Sequence, residues 1–193
     1  MQKIEADIIC PASQEDWRQW LQQNHRSTTS VWIIYYKKMA NKPTLTWSQA
    51  VDEALCFGWI DSTAMSIDEA KYKQFFCKRK PNSGWSKINK AKVEQLIKLQ
   101  LMSPAGYESI ERAKLNGSWT ILDDVEEHHI PEDLEEAFKT HSGSKDFFMS
   151  LSKSVRKMML QWIVLAKRQD TRQKRIGTIV KCAANKLKPA PFR

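Results

Sequence analysis

The chain has 193 residues, a net charge of +9, and 41% hydrophobic residues that include eight Trp. That is enough for one sizeable core, or one domain with an appendage, and the 27% charged fraction argues against wholesale disorder. No apolar run approaches the roughly 20 residues of a membrane-spanning helix, and six Gly leave no glycine-rich phosphate cradle.

Ser13-Gln14-Glu15-Asp16 has capping-box spacing and predicts a helix over 13–23 with Trp17, Trp20 and Leu21 on one stripe. Residues 31–36, VWIIYY, are β-branched and aromatic throughout and predict a strand covered on both faces. Thr46-Trp47-Ser48-Gln49 is a second capping box, and the helix behind it ends at Gly58, which suits a left-handed C′ position. Residues 59–79 then form a hairpin whose loop lies near 68–70, stopped at Pro81.

From there the chain is helical. Ser86 caps one helix, Ser103-Pro104 starts another that Gly117 closes, and Pro131 begins a short one. Val155, Met158, Met159, Trp162, Ile163 and Ala166 form a helical stripe. Ile176, Ile179, Val180, Ala183, Ala184 and Leu187 form a second, and both are expected to face the core. The expected fold is α+β: a small antiparallel sheet packed with helices over 1–119, then a helical part over 120–193, together one compact unit.

The N-terminal MQKIEADIICPAS carries acids where a secretory leader needs an apolar core, so neither export by that route nor membrane insertion is expected. Cys10, Cys56, Cys77 and Cys182 are widely spaced, with no C-x-x-C pair. They indicate reduced thiols and a cytoplasmic location rather than a zinc site. No P-loop, Rossmann, G-x-S-x-G or H-E-x-x-H pattern occurs, so no cofactor, metal or catalytic residue is assigned.

Charge falls in blocks. Residues 71–119 hold 11 cations and 3 acids, residues 120–150 hold 2 and 9, and residues 151–193 hold 12 and 1. Such blocks either present a basic face to a polyanion or complement one another within the fold.

Three segments can carry chemistry. In Ala54–Asp61, an acid follows a helix and a glycine turn, so Asp61 can accept a ligand amine or act as a base beside Trp59; equally, Trp59 is core and Asp61 caps a turn. In 75–90, three consecutive cations, Lys78, Arg79 and Lys80, leave a strand and reach a helix start at Ser86, where Arg79 and Lys80 can add hydrogen bonds to an anion. Asn89 follows, and Trp85 is placed to stack on a ligand or to staple the helix. In 166–176, Arg168, Arg172 and Arg175 are spaced to share one helix face, suited to an outside anion or to the protein's own acids near 123–136.

Four stretches give the chain its likeness to a known family: ALCFGWID (54–61), Arg79-Lys80-Pro81 running to Ser86-Lys87-Ile88-Asn89, AGYESIERAKLNGSW (105–119), and Ala166 to Ile176. With them it resembles the bacterial YdeI/OmpD-associated, or bacteriocin-protection, proteins. The resemblance implies a cytoplasmic α+β protein tied to tolerance of antimicrobial peptides or envelope stress. It carries over no catalytic residue. The leading expectation is a non-catalytic binding protein with a small ligand or a peptide partner, held between residues 59–89 and the C-terminal helices. Two alternatives stand beside it: a nucleic-acid-binding protein that uses the basic blocks, and an enzyme that pairs Asp61 with Arg79.

Overall fold

The computed structural model describes residues 6–37 and 45–192. It is an α+β protein, 53% helical, with a four-stranded mixed sheet. Strand β1 (Asp7–Ile9) leads to helix α1 (Gln14–Asn24), whose start is fixed by the Asp16 amide donating to Ser13 Oγ at 3.1 Å. β2 (Ser30–Tyr36) follows. α2 (Trp47–Cys56) opens with a complete capping box between Thr46 and Gln49. Gly58, at φ +71°, then turns the chain into β3 (Trp59–Ser66). β4 (Lys71–Lys78) completes the expected hairpin, and Asp68 Oδ1 holds its loop by accepting the amides of Ala70 and Lys71.

The sheet order is β1-β2-β4-β3. β2, β4 and β3 pair antiparallel, while β1 adds a parallel edge at Asp7↔Val31. The sheet is therefore mixed rather than wholly antiparallel as expected, because β1, at three residues, is too short to show a pattern in sequence. β2 was expected to be covered on both faces, and it is not. Val31, Ile33 and Tyr35 are buried, whereas Trp32, Ile34 and Tyr36 are only half-buried. On that second face Trp32 pairs across the strands with Phe75 at 5.0 Å, with Lys73 Nζ lying 4.6 Å from the Trp32 ring.

β3 carries a bulge. Its pairing runs Asp61↔Phe76 and then Ala64↔Gln74, so β3 has one residue more than its partner. The buried Gln74 side chain occupies the defect, donating to Ser62 O at 2.9 Å and to Asp61 Oδ2 at 3.2 Å. Trp47 Nε1–H donates to the same carboxylate oxygen at 2.9 Å.

The remaining helices are α3 (Lys87–Lys98), α4 (Pro104–Leu115), α5 (Asp123–Glu126) and α6 (Glu132–Lys139). After them come α7 (Ser144–Ser150), α8 (Lys153–Val164), α9 (Gln169–Ala184) and a 3-10 turn at Ala190–Phe192. The chain divides into two compact units, one of residues up to 83 with 88–116, the other of 84–87 with 117 onward.

In the first unit an aromatic layer lies between α1 and the sheet. Trp17 stacks on Trp20 and meets Phe76 edge-on, and Trp20 meets Trp59 edge-on. Trp17 Nε1–H finds the Ala50 carbonyl at 3.1 Å, which ties α1 to α2. Beside it lies a charged contact: the Glu53 carboxylate, almost wholly enclosed, accepts from Arg18 at 2.6 Å and from Gln14 at 2.6 Å.

The second unit has its own core, in which Met159 and Ile163 of α8 and Ile176, Ile179 and Val180 of α9 join Leu134, Phe138 and Phe148. Of the two expected stripes, Met158, Ala184 and Leu187 are exposed instead. This unit also pairs its acids internally. Arg172 grips Asp133 with two bonds of 2.6 and 2.8 Å, and Lys157 meets Glu126 at 2.5 Å. Glu126 further accepts the Lys87 amide, and Lys87 Nζ lies 3.2 Å from Glu127.

Two predictions follow from these contacts. Arg18→Ala strands a buried carboxylate and is expected to cost about 3–5 kcal/mol in urea unfolding, while Arg18→Met with Glu53→Leu recovers most of the loss. The second concerns acid. Arg172 lowers the Asp133 carboxyl from its usual range. At Glu126, partial burial pushes upward but the bonds from Lys157 and Lys87 outweigh it, so that carboxyl also titrates low. Groups depressed in this way add stability that is complete above the unfolded carboxyl pKa of about 4 and is lost as pH falls through the folded value. Asp133→Asn should therefore lower the urea midpoint at pH 7, with the gap to the parent narrowing as pH falls below the unfolded carboxyl value.

Candidate functional site

The start of α4 is pressed onto the end of α2. Ser103 donates both its backbone N–H (3.0 Å) and its hydroxyl (2.7 Å) to the Cys56 carbonyl, and its Oγ also accepts the Gly106 amide. A side chain at Gly106 would put Cβ 2.3 Å from that same carbonyl, and one at Gly58 would meet the Ala105 carbonyl at 2.9 Å. Only glycine permits this approach.

Beside the contact lies a cavity of about 330 Å³. Every residue lining it belongs to the first unit. His25 and Arg26 come from the end of α1, and Phe57, Gly58 and Trp59 from the α2–β3 turn. Lys78 and Arg79 come from the end of β4, while Ala105, Glu108, Ser109 and Arg112 lie on one face of α4. The α4 residues are three, four and seven positions from the first, the spacing that puts side chains on a single helical face.

Backbone bonds fix the basic residues. The Arg79 amide donates to Gly58 O at 2.9 Å, and the Lys78 amide donates to Thr29 O at 3.0 Å. Lys78 Nζ reaches back to Arg26 O at 2.7 Å, so α1's end and β4's end are joined at the rim. His25 Nδ1–H donates to Leu21 O at 2.7 Å, and the ring packs 5.1 Å from Phe57.

Arg79 is 9% exposed. Burial draws its pKa down to about 10, against the opposing effects of Cys77 and Asp61, so it stays a cation at neutral pH. Four cations and one carboxylate thus line a small concave surface backed by aromatic rings. Cys56, at the end of α2, is fully enclosed, and burial raises its thiol to about 11, which keeps it protonated and unreactive at neutral pH. Among the described residues no group of three or more His, Cys, Asp or Glu could hold a metal ion.

Of the residues singled out in sequence, the cavity brings together Trp59 and Arg79. Asp61 does not line it; its carboxylate braces the β3 bulge. Lys80 is exposed past the end of β4, and Asn89 lies in α3. Trp85 and Ser86 belong to the second unit, where Trp85 is 1% exposed and packs against Trp119 at 4.9 Å, enclosed rather than open to a ligand. The three arginines of 166–176 do not act together. Arg172 is held by Asp133, Arg175 bonds the Trp162 carbonyl and covers its ring at 5.1 Å, and Arg168 is exposed at the start of α9.

His25, Arg26, Glu108, Ser109 and Arg112 were not singled out, and Lys78 stood out only as the first of three consecutive cations. The one signal that points toward three of them is AGYESIER, which was noted as a stretch but reads by spacing as an ordinary solvated helix face.

Comparison with known proteins gives two matches. A family described as "Domain of unknown function (DUF8412)" matches residues 9–109, just over half of the chain. A second, described as "Bacteriocin-protection, YdeI or OmpD-Associated", matches residues 127–186. No curated protein and no solved structure matches the chain. The expected YdeI/OmpD likeness therefore holds over the C-terminal part, while ALCFGWID, the Arg79-Lys80-Pro81 stretch and the whole cavity rim up to Ser109 fall in the other match. The chain belongs to the DUF8412 domain family, and its residues 127–186 are similar to the YdeI/OmpD-associated family.

Proposed function

We propose that this is a non-catalytic ligand-binding protein of the cytoplasm, acting in tolerance of bacteriocins and other antimicrobial peptides, with its ligand site in the basic cavity of the first unit. One observation carries the site: a buried arginine, fixed through its backbone to the α2–β3 turn, lies in a concave pocket with three further cations and one acid. Small-ligand pockets have this build, an apolar and aromatic wall with a few convergent polar groups. The link to peptide tolerance rests on the YdeI/OmpD-associated match alone. No helix among the described residues is long and apolar enough to cross a membrane.

A nucleic-acid role draws less support. Three cations of the basic C-terminal block, Lys157, Arg172 and Arg175, are engaged within their own unit by Glu126, Asp133 and the Trp162 carbonyl.

The test is complementation in a bacterial host that lacks the gene, challenged with a cationic antimicrobial peptide. Parent protein is expected to restore growth, and Lys78→Ala with Arg112→Ala to fail while accumulating to the same level. Equal rescue by the two proteins separates the pocket from the function, and no rescue by the parent removes the tolerance role.

A further inference from the structure

We propose that a second cavity, in the helical unit, takes a lysine or arginine side chain of a short amphipathic cationic peptide. This cavity holds about 430 Å³, within the usual range for ligand pockets, and every residue lining it belongs to the second unit. Its walls are apolar: Ile121, Val125, Ile130, Pro131 and Val164. Asp124 of α5 and Glu132 of α6 also line it, with His129 and Arg172. It shares no residue with the basic cavity, and the inference does not rest on that site.

Charge decides the sign of the occupant. Arg172 lines the cavity, but Asp133 already matches its charge through bonds of 2.6 and 2.8 Å. Among the described residues the Glu132 carboxylate has no hydrogen-bond or ion-pair partner, and the Asp124 carboxylate meets only the His129 ring, at 3.3 Å. Both acids are exposed, so a cation arriving from water can reach them. They stand in first turns, where the helix dipole favours an acid. That accounts for their charge but not for the apolar hollow beside them.

Apolar walls joined to acids select the kind of cation. A lysine or arginine side chain lays its aliphatic stem along apolar surface and keeps its charged head in water, which suits both halves of this lining. A metal ion does not fit, since among the described residues no group of three or more His, Cys, Asp or Glu could hold one. An anion is repelled, and an uncharged apolar ligand leaves the carboxylates unused. A peptide suits the site better than a lone amine. Ile121 is 38% exposed, so the apolar wall continues outward, and a neighbouring apolar residue of the same peptide can cover it. Contacts to exposed carboxylates are weak by themselves, and burial of the stem and its neighbour supplies the rest of the affinity.

The experiment is amide NMR on the full ¹⁵N-labelled chain, titrated at constant ionic strength with a short end-capped peptide of alternating Leu and Lys. Matched peptides carry Gln or Glu in place of each Lys. The Asp124, His129, Glu132 and Val164 amides are expected to shift saturably with the Lys peptide, weakly with the Gln peptide and not with the Glu peptide. Asp124→Asn with Glu132→Gln, both at exposed positions, should weaken the Lys peptide about fivefold and leave the Gln peptide unchanged. Glu136→Gln, at an exposed position of α6 outside the cavity, should change neither. Equal binding of the Lys and Gln peptides would overturn the cation assignment. Shifts that do not saturate, that Glu136→Gln weakens as much as the double variant, or that are absent with every peptide would overturn the site. Shifts at the same amides on raising the protein concentration alone would make a second copy of the chain the occupant and overturn the peptide.

Discussion

The carbonyl of Cys56 is the fixed point of the first unit. It lies where α2 ends, and it accepts two hydrogen bonds from a single residue, Ser103, which also caps α4. The bare backbone at Gly106 lets the helix come close enough for both. Once α4 is held there, its Ala105–Arg112 face has one place to look, toward the α2–β3 turn. Gly58, at the same corner, supplies the carbonyl that anchors the Arg79 amide. A helix cap, a turn and a strand end are thus set by a few neighbouring backbone groups, which is the rigid support that a binding constellation needs.

Charge is handled differently in the two units. The second puts acids of α5 and α6 against cations of α8 and α9, so that the two most oppositely charged stretches of the sequence partly neutralise one another. Two of these contacts, Asp133 with Arg172 and Glu126 with Lys157, are partly shielded from water, where an ion pair outweighs its exposed counterparts. The first unit instead gathers several cations around a cavity. A net charge of +9 describes neither arrangement.

Local chemistry was legible where a short pattern has one physical solution. The Ser13 and Thr46 caps, Pro104 at a first helical position and the 59–79 hairpin all stand as read. Short elements were not legible: β1 has three residues and α5 four, too few for periodicity to register. The α+β class followed from the strand and helix patterns together. The cavity was harder, because its walls come from positions 25 to 112 and only folding brings them together. Trp85 illustrates the limit at a single residue. A tryptophan beside three cations reads the same in sequence whether it stacks on a ligand or on Trp119, and burial decides between them.

The β3 bulge has a bearing on how the molecule behaves in company. β3 is the outermost strand of its hairpin, and its side chains from Ser62 to Ser66 are exposed. A straight strand in that position offers a ladder of unsatisfied amides and carbonyls on which a neighbouring chain can grow. Here the extra residue throws the ladder out of step midway, and the Ser62 carbonyl is already claimed by Gln74. A foreign strand that docks in register with one half is out of register with the other, so crowding at high concentration finds no continuous seam along which to zip.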